Sequence, residues 1–304
     1  MSAPERPPGE DADVAVLGGS YAGLSAALQL ARARQRVLVV DAGQRRNRFA
    51  DTSHGFLGRD GDAPQAIAAQ AREQLLAYPT VGWVEGEATD AAPVASGFAV
   101  GLADGRRFVV RRLVLATGVV DELPGIEGLQ ERWGRSVFHC PYCHAYELAQ
   151  GRIGVLASGP MSLHQALLLP DWGTVTLFTR EQLTLDEAQR AALTTRGVSI
   201  EAAPVARIVE AATVELADGR CVPMDGLFVP TRTRMASPLA AQLGCAFDAG
   251  PLGDFIRTDA FKETTVPGVF ACGDAARGAG SVALAVGDGA QAGMAVHQSM
   301  VFRR

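Results

Sequence analysis

Cys140-Pro141-Tyr142-Cys143 is the segment of this sequence with the most chemistry in it. Two thiols separated by two residues can close a small disulfide ring and open it again, which carries two electrons. Pro141 restricts the intervening turn and favours closure of that ring. His139 precedes the pair, and His144, Tyr146 and Glu147 follow it. The thiolate is the nucleophile in such exchange, and a neighbouring imidazole lowers the thiol pKa or shuttles the proton. Cys140, Cys143, His144, His139 and Glu147 are therefore the candidate catalytic residues.

Three rival readings use the same letters. Cys-x-x-Cys-His is also the attachment pattern of c-type haem, which belongs to exported chains. Zinc would need more Cys or His at ligand spacing than His139 and His144 offer, so no metal site is expected. The third reading is two inert buried cysteines. Cys221, Cys245 and Cys272 are isolated and read as small buried hydrophobes.

The chain has 304 residues, enough for two domains with their own cores. A hydrophobic content of 48% with 20% charged residues is that of an ordinary soluble protein. The net charge of -5 argues against nucleic acid as a partner, because phosphate binding wants a basic face. Lys262 is the only lysine, a bias that reads as coding composition and not as an arginine site. Met1 to Asp13 is polar and proline-rich, without the basic start and apolar core of a signal segment, and no apolar run approaches a membrane span. The expectation is a cytoplasmic protein with no membrane partner, where a close cysteine pair is catalytic or metal-binding and not a structural staple.

The pair must be positioned by two similar halves. Residues 13–18 form an apolar run ending in Gly18, then Leu24, Ala27, Leu28 and Ala31 recur at helical spacing, and Val37 to Val40 form a second strand ending at Asp41. Strand, glycine turn, helix, strand and acid make the βαβ dinucleotide unit. A helix is expected over 64–77. A hairpin is expected from 97–103 and 107–114 around Asp104-Gly105, and a buried strand over 113–118. From Ile153 the pattern restarts: strand, turn at 157–160, helix at 162–169, strand at 175–178, then a hairpin-like pair at 205–216 and 220–229. A last apolar element, Val269 to Asp274, precedes a helix over about 282–301. The fold class is α/β: two Rossmann-like three-layer domains, the second inserted in the first. The first domain would take 1–120 and 249–304, and the second, carrying Cys140 and Cys143, would take 121–248.

Gly18-Gly19-Ser20-Tyr21-Ala22-Gly23 departs from the ideal Gly-x-Gly-x-x-Gly only in placing Ser20 at the second glycine. Ser is small, so a pyrophosphate can still approach, and its hydroxyl can itself reach a phosphate. The helix start supplies N–H groups and positive dipole, and Asp41 can accept from ribose hydroxyls. Thr117-Gly118 and Gly273-Asp274 are the further pieces expected of an FAD-binding fold in flavoenzymes with two dinucleotide domains. Asp274 would bond the ribityl or phosphate end. The last helix would aim its start, around Ala283, at the flavin pyrimidine, where negative charge grows on reduction.

With these residues in order, the chain resembles the low-molecular-weight thioredoxin reductases over nearly its whole length. The resemblance rests on Gly18 to Gly23, Ala116-Thr117-Gly118, Cys140 to Cys143 just before the second βαβ unit, and Gly268 to Asp274. It implies a homodimer with bound FAD, a redox disulfide facing the isoalloxazine, and rotation of the Cys-bearing domain during turnover. The expected FAD set is Gly18, Gly19, Ser20, Ala22, Gly23, Asp41, Asn47, His54, Ala88, Thr117, Gly118, Gly273, Asp274 and Ala283. A satisfied loop histidine is an equal reading of His54. By the same resemblance Cys143 is the flavin-proximal thiol and Cys140 the one that attacks the partner.

The chain departs from the reductases at His144, where they carry an acid. Cys-x-x-Cys-His-x-Tyr-Glu looks more like the branch with the gliotoxin- and holomycin-oxidising dithiol oxidases. The second turn, Ala157-Ser158-Gly159-Pro160-Met161-Ser162, lacks the first glycine of a nicotinamide site. The stretch after the next strand has one arginine, Arg180, beside Glu181. NADPH is therefore left open as a cofactor. The function read from the sequence is an FAD-dependent dithiol–disulfide oxidoreductase acting on a thioredoxin-like protein or a small dithiol. The alternatives are a small-molecule dithiol oxidase using O₂ and a flavin-binding redox sensor without turnover.

Overall fold

A computed structural model of the chain describes residues 12–303. Of the N-terminal stretch read for a leader segment, only Ala12 and Asp13 lie within the described residues. Two compact units are present, each drawn from separate stretches of chain. One holds the segment ending at Arg46, Gln65–Val120 and the chain from Arg234 onward; the other holds Asn47–Pro64 and Asp121–Thr233.

The first unit is built on a five-stranded parallel sheet. Its order is Val269–Ala271, Arg112–Leu115, Val14–Leu17, Val37–Asp41, Val81–Glu85. That is the strand order of the dinucleotide-binding fold. The central strand, Val14–Leu17, is apolar at every position and all four of its residues are buried, as both faces of such a sheet are covered. The first helix, Tyr21–Arg32, and the last, Val282–Phe302, pack on one another, with the Ser25 hydroxyl donating to the Val286 carbonyl at 2.7 Å. The expected helix over 64–77 is Pro64–Leu76.

The stretch expected as one strand over 107–114 is two. Arg107–Val110 closes an antiparallel meander with Gly97–Leu102 and Ala88–Val94, and Arg112–Leu115 joins the parallel sheet. The chain changes sheet at Arg111, a single residue that apolar alternation cannot mark. The Asp104-Gly105 turn is where the pattern put it, with Gly105 at φ +90°.

The second unit repeats the plan. Its parallel sheet runs Ser199–Glu201, Thr174–Phe178, Arg152–Leu156, Gly226–Phe228, Val137–Phe138. Alternate residues of these strands feed two cores. Val137, Leu156 and Leu227 face one with Ile208 and Val214, and Phe138, Ile153, Val155 and Phe228 face the other with Ala166 and Leu193. Phe178 and Phe228 are fully buried, each worth about 1.5–3 kcal/mol relative to exposure. The hairpin expected over 205–229 is instead a three-stranded antiparallel sheet of Val205–Val209, Thr213–Leu216 and Cys221–Val222, after which Gly226–Phe228 enters the parallel sheet.

The boundaries of the units differ from 120/121 and 248/249 in two places. The chain returns to the first unit at Arg234, because Leu239, Ala240, Leu243 and Cys245 are buried in its core beside Val100 and Leu102. Gln242 also ties this stretch to the meander, accepting from the Ala91 N–H at 3.3 Å and donating to the Thr89 carbonyl at 3.1 Å. Residues 47–64 group with the second unit. There Gly134 approaches the Phe49 backbone so closely that a Cβ would lie 2.9 Å from the Phe49 carbonyl carbon.

Candidate active site

Cys140 and Cys143 are joined as a disulfide, with Cα atoms 5.4 Å apart, inside the ordinary range for a bridge. The edge strand Val137–Phe138 delivers them. Its register is held by the Leu227 N–H donating to the Ser136 carbonyl and the Val229 N–H to the Phe138 carbonyl, at 2.8 and 2.9 Å. The chain then leaves the carboxyl end of the sheet, the end at which α/β folds place their chemistry. Cys140 is extended, at φ -111° and ψ 110°, and stands as the N-cap of a single helical turn, Pro141–His144. Proline fits the first position because its missing N–H would have no helical partner there. The Cys143 N–H donates back to the Cys140 carbonyl at 3.2 Å, so both sulfurs sit on one closed turn.

Three aromatic contacts frame that turn. The His144 ring stacks on Phe138 at 4.5 Å between centroids, and His139 stacks on Trp133 at 5.9 Å. Tyr142 meets Trp172 edge-on at 5.4 Å while remaining 72% exposed. The His139 carbonyl accepts from Gln165 Nε2 at 2.6 Å, which ties the residue before Cys140 to the helix Met161–Leu168. Burial lowers the pKa of His144 from 6.5 to about 4, and repulsion from His139 and His54 adds to the effect. Near neutral pH its imidazole is the uncharged form, able to accept a proton. Glu147 lies in the next turn, Tyr146–Leu148, with its Oε1 3.4 Å from His54 Nδ1. His54, expected to line a flavin, thus reaches the catalytic candidates of its own unit.

The other three cysteines are elsewhere. Cys272 is wholly buried and its pKa is pushed up to about 12 by burial, Cys245 is pushed up by burial, and Cys221 is exposed and unpaired. Among the described residues no group of three or more His, Cys, Asp or Glu could hold a metal ion.

The first glycine turn belongs to the other unit. Gly18 has φ +109°, and a Cβ on Gly23 would lie 1.8 Å from the Gly18 carbonyl oxygen, so the helix starts directly against the strand end. Only glycine permits both. Ser20 is the N-cap of Tyr21–Arg32 and its hydroxyl makes no capping bond, which leaves it and the helix start to an anion. Asp41 Oδ1 accepts the Gly19 N–H at 3.0 Å and leaves Oδ2 for a further donor. Thr117 and Gly118 follow the strand Arg112–Leu115, with Gly118 at φ +69°. Gly273 and Asp274 open a short turn after Val269–Ala271. Ala283 is exposed in the first turn of the last helix, whose N-cap Ser281 accepts the Leu284 N–H at 3.2 Å. Ala88 begins the meander, and Asn47 sits in the turn that opens the 47–64 stretch.

One polar partner was not legible in the sequence. Arg46 Nη1 donates to Asp274 Oδ2 at 2.8 Å, across 228 residues of chain. An ion pair of such separation leaves no periodic or local trace. The turn keeps glycine, an uncapped helix start, a carboxylate at the second strand and a nearby guanidinium. This donor set fits the phosphates and ribose of a dinucleotide.

The model of the family described as "Pyridine nucleotide-disulphide oxidoreductase" matches residues 12–289. The thioredoxin reductase tcpT of Claviceps purpurea is 34% identical over 277 residues, which is 86% of each chain. An oxidoreductase from Agrobacterium tumefaciens of known crystal structure is 56% identical, with a TM-score of 0.94 over 97% of this chain and 100% of its own. HlmI is 39% identical, with a TM-score of 0.89 over 95% of this chain and 92% of its own. The family is FAD-dependent. The chain belongs to the pyridine nucleotide-disulphide oxidoreductases and is a thioredoxin-reductase-like, flavin-dependent disulfide oxidoreductase.

Proposed function

We propose that this protein oxidises small dithiols to disulfides, with Cys140–Cys143 as the immediate oxidant and without NADPH as electron source. One observation carries the choice of direction. In the second βαβ unit, the groups that would cradle a nicotinamide dinucleotide are bonded to the protein itself. The Ser158 N–H donates to Ser162 Oγ at 2.9 Å, and the Ser158 hydroxyl donates to the Pro230 carbonyl at 2.6 Å. Pro160 is the N-cap of the helix and brings no N–H. Arg180, the arginine in the stretch after the second strand, donates instead to the Ala157 carbonyl at 2.8 Å. A dinucleotide would have to displace these bonds and gain little in return.

In the proposed reaction a substrate thiolate attacks Cys140 Sγ. The Cys140–Cys143 bond breaks and Cys143 leaves as thiolate. The second substrate thiol then attacks the mixed disulfide, forming the substrate disulfide and freeing Cys140. His144 takes the proton. It is uncharged while the disulfide is closed, and the thiolate forming at Cys143 raises its affinity for a proton at the moment one is released. When bound, FAD would supply the two-electron acceptor, with O₂ as the terminal oxidant of the proposed reaction. Gly18, Gly19, Ser20, Ala22, Gly23, Asp41, Thr117, Gly118, Gly273, Asp274 and Ala283 would hold it, and Arg46 would join them beside Asp274. The curated relatives named thioredoxin reductases favour a second reading of the partner, a thioredoxin-like protein, for which the same exchange at Cys140 holds.

The test is anaerobic titration of the purified yellow protein. Dithiothreitol should bleach the flavin within seconds and NADPH should not, and admitting air should restore the colour while oxygen is consumed. Rapid bleaching by NADPH would reverse the assignment of the electron source.

A further inference from the structure

Gln165 is an amide in an apolar place. It sits in the helix Met161–Leu168 next to Ala166 of the core and is 6% exposed. Its Nε2 donates to the His139 carbonyl at 2.6 Å, and its Oε1 is buried with no hydrogen-bond partner among the described residues. A buried acceptor left unsatisfied costs more stability than one ordinary hydrogen bond returns. A methionine or leucine would fill the space without that cost. Stability alone therefore does not account for a glutamine here. What the amide holds is the entry to Cys140. A peptide is planar, so the His139 carbonyl, the Cys140 nitrogen and the Cys140 Cα move as one plate. The plate before it is fixed by the sheet, where the Val229 N–H donates to the Phe138 carbonyl at 2.9 Å. The plate after it is fixed by the Cys143 N–H, which donates to the Cys140 carbonyl at 3.2 Å. Gln165 fixes the one between, and does so from a different element. With the plates on both sides of Cys140 held, its φ of -111° and ψ of 110° are set, and with them the direction in which its Cβ leaves the backbone.

We propose that Gln165 is a positioning residue of the Cys140–Cys143 couple: it holds Cys140 where its sulfur meets that of Cys143, and so sets how readily the pair opens. The inference rests on the thiol-exchange reading above and is the same for either partner. In the opening reaction a dithiol loses two electrons and two protons and forms its own S–S bond. The enzyme S–S bond breaks, and both electrons and both protons pass to Cys140 and Cys143. The closed form needs the two sulfurs in one place and the open form does not. Loosening Cys140 therefore weakens the closed form alone, and the pair opens in a less reducing medium.

The experiment equilibrates the holoenzyme without oxygen in graded glutathione and dithiothreitol redox buffers, quenches in acid, and counts alkylated cysteines by mass after denaturation. The chain has five cysteines, three of them free, so the closed pair reads as three and the open pair as five. Gln165→Met keeps the volume and loses the donor. It should shift the equilibrium about tenfold toward the open form, which is about 30 mV for a two-electron couple. Its thermal midpoint should stay within about 4 °C of wild type, because one buried unpartnered oxygen is removed along with one hydrogen bond. Gln165→Leu should behave in the same way. Leu193→Ala opens a cavity in the same core and should lower the midpoint while leaving the equilibrium unmoved. An unmoved equilibrium in both Gln165 variants, or a midpoint that falls as far in both as in Leu193→Ala, overturns the positioning role and leaves the thiol-exchange reading standing. A wild-type pair that stays closed in every buffer overturns that reading as well.

Discussion

The imidazole of His144 lies on the ring of Phe138, 4.5 Å between centroids and 26° from parallel, with Phe138 itself packed against Phe228 in the sheet core. The residue that follows the second cysteine is therefore fastened to the hydrophobic interior of its own unit. Its proton affinity is set by that burial.

Stability should record this. Above pH 6.5 His144 is uncharged in both folded and unfolded chains and contributes no pH dependence. Between 6.5 and about 4 the unfolded chain takes the proton and the folded chain does not, so folding stability falls as pH falls through this window. The loss should reach about 2–3 kcal/mol, at 1.36 kcal/mol per pH unit with a discount for partial exposure. His144→Phe should flatten it. Denaturant unfolding at pH 7 and pH 4.5 measures the difference; equal slopes with pH in both proteins would show that the buried ring does not control it.

The two cysteines should be separable by spectrum though not by turnover. Cys140→Ser and Cys143→Ser should both abolish dithiol-dependent oxygen uptake, because exchange needs both sulfurs. Only Cys140→Ser, which leaves the flavin-side thiolate, should gain a long-wavelength charge-transfer band. The band appearing in Cys143→Ser instead would swap the two roles.

Gly23→Ala should release the cofactor. The added methyl would meet the Gly18 carbonyl oxygen at 1.8 Å, and neither backbone can yield without opening the turn. We expect about 1–3 kcal/mol of destabilisation, in the range of overpacked sites, and a marked fall in flavin absorbance per protein. Full flavin content in this variant would show that the turn does not bind the dinucleotide.

Asp288 gathers both nearby cations. Its Oδ1 accepts from Lys262 Nζ at 2.8 Å and Arg277 Nη1 at 2.7 Å, and the residue is 5% exposed. Asp288→Ala leaves two sheltered cations without an anion and should cost about 3–5 kcal/mol. A midpoint of thermal unfolding within a degree of wild type would count against this network as a fastening of the last helix.

What could be read from the sequence was local. The glycine turn at 18–23, the apolar strands and the Cys140–Cys143 ring each fit within a window shorter than one βαβ unit, where periodicity and spacing carry the signal. What escaped was long-range. The Arg46–Asp274 and His54–Glu147 contacts join positions far apart, and no pattern in either stretch names its partner. Leu239 to Cys245 was assigned to the wrong unit because its apolar residues say that it is buried without saying against what. Lys262, the one lysine of an arginine-rich composition, is a sheltered partner of Asp288, a contact that composition does not carry.

The stretch Asn47–Pro64 gives the cysteine-bearing unit a second origin in the chain. Cutting out Asp121–Thr233 as a single fragment would discard His54 and the Phe49 backbone on which Gly134 rests. Anyone transplanting this thiol chemistry into a relative must therefore graft two pieces together. During evolution, a recombination breakpoint near residue 121 would carry over the sulfurs with His139 and His144 and leave His54 behind.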